Sequence, residues 1–328
     1  MNRLIRKTLV WLGAALVPLL LFGCGETDRV GGDASASVGS KAVASEPEFR
    51  TIKVAQGEVR IPVKPQRIAD ISGSTEELLT LGFTPIASGN TDMANASAFT
   101  PILKQKLPAG TINTGWYASE VNIEQLVSAN PDLILAGPRQ EKLYEQLSKI
   151  APTVMVPYDF NAFRERFAFV ADTLGKKPEM EAWLKQYDER ASELGKTLAA
   201  ATHNGNFAVI EATAKEIRIY ATTGVAGMVF GDLKLPKAPG TPEPDKWGGK
   251  VTSLEGLSEL DPDHIVLMAD SEQNVLQQSK VWSGLKAVKA GNVYKLTTVQ
   301  NYNEAFTALG KKALLEQLAK DIAGKAKR

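Results

Sequence analysis

From Arg67 onward, short apolar runs alternate with longer stretches in which apolar residues recur every three or four positions. The first pattern suits buried strands and the second suits helices that cover them, so their alternation predicts parallel α/β layers. Strands are expected at 67–71, 85–88, 133–136, 153–157, 207–212, 217–221, 264–269 and 293–296. Helices are expected at 75–81, 140–150, 162–175, 224–233 and 304–323, the first opened by Ser74-Thr75-Glu76-Glu77 as a capping box.

The pattern repeats. Asn122-Ile123-Glu124-Gln125-Leu126 leads to Pro131-Asp132-Leu133-Ile134, and Ser253-Leu254-Glu255-Gly256-Leu257 leads to Pro262-Asp263-His264-Ile265, with both ends offset by 131 residues. A helix, turn and strand unit repeated in this way implies two lobes on one plan. Between them, 178–201 opens with Pro and continues in strong helix formers. Such a helix, roughly 35 Å long, could run along both lobes and resist bending, which implies small closure on ligand binding. Gly195 marks a kink or an earlier end.

The amino terminus has a different pattern. Arg3, Arg6 and Lys7 precede an apolar run over 9–22 that is too short to span a bilayer, the layout of an export signal. The run ends in Leu21-Phe22-Gly23-Cys24, which resembles the bacterial lipobox and implies acylation of Cys24. The alternative is a plain secretory signal with Cys24 incidental. Residues 25–46 are rich in Gly, Ser, Ala and Asp and lack the apolar surface to fold. The organisation expected is a signal at 1–23, a tether at 24–50, lobes at 51–177 and 202–328, and a linking helix at 178–201.

Composition narrows the chemistry. The 38 basic and 37 acidic residues give no basic field for nucleic acid, and loss of the signal leaves 35 against 37. One cysteine excludes internal disulfides, and two histidines (His203, His264) are too few for a His-based metal site. There is no Gly-x-Ser-x-Gly elbow and little histidine to act as a base, so an exported hydrolase is a poor second reading.

The lipobox, Ile61-Pro62-Val63-Lys64-Pro65-Gln66-Arg67-Ile68, the paired Glu and Pro-Asp units, and Leu285-Lys286-Ala287-Val288-Lys289-Ala290-Gly291-Asn292-Val293-Tyr294 together resemble the siderophore and cobalamin substrate-binding proteins of ABC importers, over nearly the whole mature body. The resemblance implies two Rossmann-like lobes joined by one long helix, with the ligand in the cleft between them. It also implies that Glu124 and Glu255 dock on a permease dimer, and two equivalent anions suit a two-fold partner. The alternative is that each glutamate only complements its helix dipole.

A ferric siderophore brings its iron already coordinated, so the protein needs cations and aromatic walls rather than metal ligands or a cofactor. Arg139 follows a strand, where open α/β sheets bind ligands, and resembles the arginine of binders of citrate-type and hydroxamate siderophores. Alternation puts Arg218 and Tyr220 on one strand face. Trp116, Tyr117, Tyr158, Trp247 and Tyr302 stand in expected loops and are candidate cleft walls. Arg164 and Arg166 read as a solvated helix face, and His264 as a structural histidine. The expected protein is a monomeric, lipid-anchored, extracytoplasmic receptor for a ferric siderophore, of citrate or hydroxamate type, that serves an ABC permease. Cobalamin or haem are the alternative ligands.

Overall fold

A computed structural model describes residues 48–159 and 161–326. The export signal, Cys24 and the tether as far as Pro47 lie outside the described residues. Strand β1 (Phe49–Val54) begins inside the stretch expected to be tether and pairs antiparallel with β2 (Gly57–Pro62). The turn uses Gly57 at φ +114°, which only glycine adopts without strain. Ile52, Val54 and Val59 lay one face of this hairpin on the first core.

The first sheet is built from β3 (Ile68–Ile71), β4 (Ala87–Ser88), β7 (Ile112–Asn113), β8 (Leu133–Ala136) and β9 (Thr153–Met155), in the order β7-β4-β3-β8-β9 and parallel throughout. Between its strands run α1 (Thr75–Thr80), the small hairpin β5 (Thr91–Asp92) and β6 (Asn95–Phe99), α2 (Pro101–Lys106), α3 (Ile123–Ala129), a 3-10 turn (Pro138–Leu143) and α4 (Tyr144–Ser148). Leu133 and Leu135 of β8 enter one core cluster while Ile134 and Ala136 enter another, so the sheet is buried on both faces.

Helices α5 (Phe163–Thr173) and α6 (Lys177–Ala201) lead to the second sheet. It contains β10 (Phe207–Ala212), β11 (Ile217–Tyr220), β12 (Gly249–Thr252), β13 (His264–Met268) and β14 (Val293–Leu296), in the order β12-β11-β10-β13-β14. Strands β10, β13 and β14 are parallel, and β11 and β12 run against them. Its connections are α7 (Gly224–Ala226) continuing as a π-helical turn (Gly227–Asp232), α8 (Leu254–Leu260), α9 (Lys280–Gly284) and α10 (Lys286–Lys289). Helices α11 (Thr298–Glu304) and α12 (Ala308–Ala326) end the described chain, where one helix over 304–323 was expected.

The repeat is visible in the topology. Each sheet has a central strand, β3 or β10, lying parallel beside a strand that follows a seven-residue helix. The aspartates of the Pro-Asp pairs tie these units together: Asp132 accepts from the amides of Gln66 and Arg67 at 2.7 and 3.0 Å, and Asp263 accepts from that of Asn206 at 3.1 Å.

Helix α6 starts on the first core, where Met180 is buried, and continues onto the second through Tyr187, Ala191 and Leu198. Trp183 joins the two, stacked on Tyr187 at 5.4 Å and edge-on to Phe167 at 5.6 Å. Gly195 does not end the helix, which runs through it to Ala201. A Cβ there would lie 2.2 Å from the Leu233 carbonyl oxygen, so the glycine serves close backbone approach.

Two expectations near α1 are corrected. Ser74 makes no side-chain cap, and Ser74 to Glu77 are all buried. Arg166, expected on a solvated face, is fully buried with its Nη2 3.0 Å from Glu77 Oε1. It falls on the inward face of α5 with Phe163, Phe167 and Val170, so its charge must be met inside the protein. Arg166 also donates to the Phe306 carbonyl, and Glu76 accepts from the Gly310 amide at 2.7 Å, in the first turn of α12. Burial pushes Asp70 and Glu77 upward against the pull of their partners, and raises Glu76 to about 7. Arg164 does stay at the surface, paired with Asp188.

Candidate functional site

The alternation of β11 holds. Ile217 and Ile219 enter the core on one side of the second sheet, while Tyr220 enters the core on the other. On the Tyr220 side a cavity of about 380 Å³ opens, lined by Arg218, Tyr220, Trp247 and Tyr302 of the expected residues. That volume lies within the usual range of small-molecule sites, about 300–1,000 Å³. Sequence reasoning missed Glu211, Glu216, Thr223, Asn301 and Phe306, together with Asn161 from the loop before α5. The strand pairing could have found Glu211, which lies opposite Arg218 in the β10 and β11 register.

Asp245 organises one wall. Its Oδ2 takes Arg218 Nη1 at 2.6 Å and its Oδ1 accepts from the Trp247 amide at 2.8 Å. The hydrogen bond from Arg218 holds the Asp245 carboxyl below its usual range. Gly248 lets the loop turn at φ +86°, and a Cβ there would fall 2.1 Å from Thr223 Oγ1. Opposite, the Tyr220 hydroxyl donates to Glu211 Oε2 at 2.9 Å, and Tyr302 packs beside Phe306 with ring centroids 6.2 Å apart. Asn301 supports the floor by accepting from the Val225 amide at 3.0 Å.

The other candidates lie elsewhere. Arg139 stands on the 3-10 turn after β8, 45% exposed, with Nη2 3.8 Å from Asp159 Oδ2. Trp116 and Tyr117 meet edge to face at 6.2 Å in the loop after β7. Tyr117 covers Gly73 and Gly89, and burial pushes its hydroxyl up to about 12. Tyr158 packs edge-on to Phe169 against the first core. These four are outside the lining of the 380 Å³ cavity. His264 is structural, its Nδ1 3.0 Å from the Tyr294 hydroxyl and its ring 4.5 Å from that of Phe207.

A larger cavity of about 840 Å³ lies between β14, the edge strand of the second sheet, and the end of α12. It contains none of the expected residues. The smaller cavity is the better candidate, because Arg218, Tyr220, Trp247 and Tyr302 converge there and its polar groups are fixed by hydrogen bonds from Arg218 to Asp245 and from Tyr220 to Glu211. Among the described residues no group of three or more His, Cys, Asp and Glu could hold a metal ion, and no helix is long and apolar enough to cross a membrane.

Glu124 and Glu255 are both exposed, each the second residue of its helix. Their caps are also equivalent: Asn122 accepts from the Gln125 amide at 3.0 Å and Ser253 from the Gly256 amide at 3.1 Å.

Residues 72–299 match the family model described as periplasmic binding protein. The chain belongs to the periplasmic binding protein family. The match includes both exposed glutamates and the cavity lining from Asn161 to Trp247. Among curated proteins, this periplasmic binding protein is 29% identical over 282 residues to the probable siderophore-binding lipoprotein YfiY of Bacillus subtilis, covering 81% of this chain and 85% of that one. It is 28% identical over 304 residues to the iron(3+)-hydroxamate-binding protein FhuD of Bacillus subtilis, covering 89% and 91%. Among solved structures, it matches SirA of Staphylococcus aureus complexed with staphyloferrin B at TM-score 0.66 and 26% identity, covering 83% of this chain and 98% of that one. The FhuD-fold component of a Fep/Fec-like ferrichrome ABC transporter from Bacillus subtilis matches at TM-score 0.71 and 25% identity, covering 83% and 99%.

Proposed function

We propose that this periplasmic binding protein is an extracytoplasmic receptor that binds a ferric siderophore and delivers it, chemically unchanged, to an ABC permease for iron uptake. The observation that carries this reading is the cavity around Arg218, Tyr220, Trp247 and Tyr302 in a chain similar over most of its length to siderophore-binding proteins. Aromatic and hydrogen-bonding walls suit a chelate whose iron is already coordinated. The lobes are assigned to 51–177 and 202–328, with α6 as the rigid link that limits closure. Glu124 and Glu255 are the permease contacts, and acylated Cys24 is the membrane anchor.

Tryptophan fluorescence titrated with ferric hydroxamates and ferric citrate tests the ligand. Saturable quenching by at least one is expected, and no response to any ferric chelate would reject the reading. The double substitution Glu124→Ala and Glu255→Ala is expected to abolish uptake into cells while leaving affinity unchanged. Normal uptake would remove the docking role.

A further inference from the structure

Among the described residues Arg218 is the one guanidinium lining the cavity, and three carboxylates stand on the strand and loops beside its strand. Asp245 takes Arg218 at 2.6 Å. Glu211 stands opposite Arg218 across the strand pair, and Glu216 lies two residues before it on the same strand approach. Glu211 and Glu216 both line the cavity, and neither forms an ion pair among the described residues. Lys246, 5.1 Å from the Trp247 ring centroid, is not among the lining groups. With Arg218 neutralised by Asp245, the cavity wall carries two carboxylates and no uncompensated cation.

The tyrosines reinforce this charge. Tyr220 donates to Glu211, and burial together with the Glu211 charge raises both the Tyr220 and Tyr302 hydroxyls. They remain neutral donors beside an acid and cannot offset it with positive charge. An anionic ligand here would lose its hydration and face like charges, whereas an ammonium would find carboxylate acceptors.

We propose that the cavity selects ferric chelates that present a neutral or positively charged portion, with Glu211 and Glu216 receiving a pendant ammonium, and that it discriminates against chelates presenting carboxylates, ferric citrate included. This rests on the reading of the protein as a ferric siderophore receptor and narrows its ligand class.

The test uses three probes on the mature protein: ferrioxamine B, a trihydroxamate with one free ammonium; its N-acetylated, neutral derivative; and ferric citrate. Ferrioxamine B is expected to bind roughly tenfold more tightly than the acetylated form at low salt, the scale of one charge-assisted bond, and ferric citrate more weakly than either. High salt should shrink the preference. Glu211→Gln with Glu216→Gln should bring the two hydroxamates to within about twofold of each other. Glu216→Gln alone, at an exposed position, should remove part of the preference without touching the Tyr220 bond.

Equal affinity for the charged and acetylated probes, or tighter binding of ferric citrate, would overturn the selection while leaving the receptor reading intact. A preference that survives in the double variant would overturn the assignment to these carboxylates. Failure of every ferric chelate to bind would overturn the receptor reading and this inference with it.

Discussion

Glu76→Gln isolates a buried charge whose effect on stability should change with pH. Glu76 is fully buried, its Oε2 accepts from the Gly310 amide at 2.7 Å, and its pKa is raised from 4.5 to about 7, chiefly by burial and further by the neighbouring Glu77. An acid whose pKa is higher in the folded state favours folding when protonated. Its contribution is complete below the unfolded value, near 4.5, and is lost as pH rises through about 7. The displacement corresponds to about 3 kcal/mol. Glutamine keeps a carbonyl for Gly310 and carries no charge. Urea unfolding followed by circular dichroism should therefore place the variant close to the parent at pH 5 and up to about 3 kcal/mol above it at pH 8. Asp70 and Glu77 are raised as well and remain in the variant, so their own burial costs are common to both proteins, and the Glu76–Glu77 repulsion that the substitution removes is already contained in the displacement of Glu76. A variant less stable than the parent at pH 8 by as much as at pH 5 would refute the argument.

Arg166→Met leaves Glu77 buried without its cation and removes the bond to the Phe306 carbonyl, so unfolding should come about 3–5 kcal/mol earlier. Chemical denaturation checks this, and an unchanged midpoint would show that the pair is not needed. Gly195→Ala gains helix propensity but drives a methyl into the Leu233 carbonyl, for a net loss of about 1–3 kcal/mol read from the thermal midpoint. Arg218→Ala should weaken binding of the neutral, N-acetylated ferrioxamine by about 1.5–3 kcal/mol in a fluorescence titration, because Asp245, which holds the Trp247 amide, loses its charge partner.

The layer order, the repeat and the strand carrying Arg218 and Tyr220 were legible because buried strands write continuous or alternating apolar runs. The hairpin β1 and β2 was missed although Arg50, Ile52 and Val54 alternate with exposed neighbours, because half-buried strands with charged outer faces give a weak signal. Gly195 was misread as a helix weakness because its reason lies in a backbone atom 38 residues away in sequence. Arg166 looked like its exposed neighbour Arg164, and nothing local records that Glu77 waits inside. The same holds for the acids of the cavity. Glu211 and Glu216 read as ordinary strand and turn residues until the sheet brings them beside Arg218.

The carboxylate that holds the start of α12 comes from residue 76, 234 positions earlier, and Ala308 belongs to the core cluster of the first sheet. During synthesis, the first half of the chain therefore emerges with Glu76 lacking its donor and its core lacking Ala308, and no finished half exists until α12 arrives. A nonsense codon near residue 305 would then not yield a healthy amino-terminal lobe beside a damaged partner. It would unseat both, because the end of the chain is a structural part of its beginning.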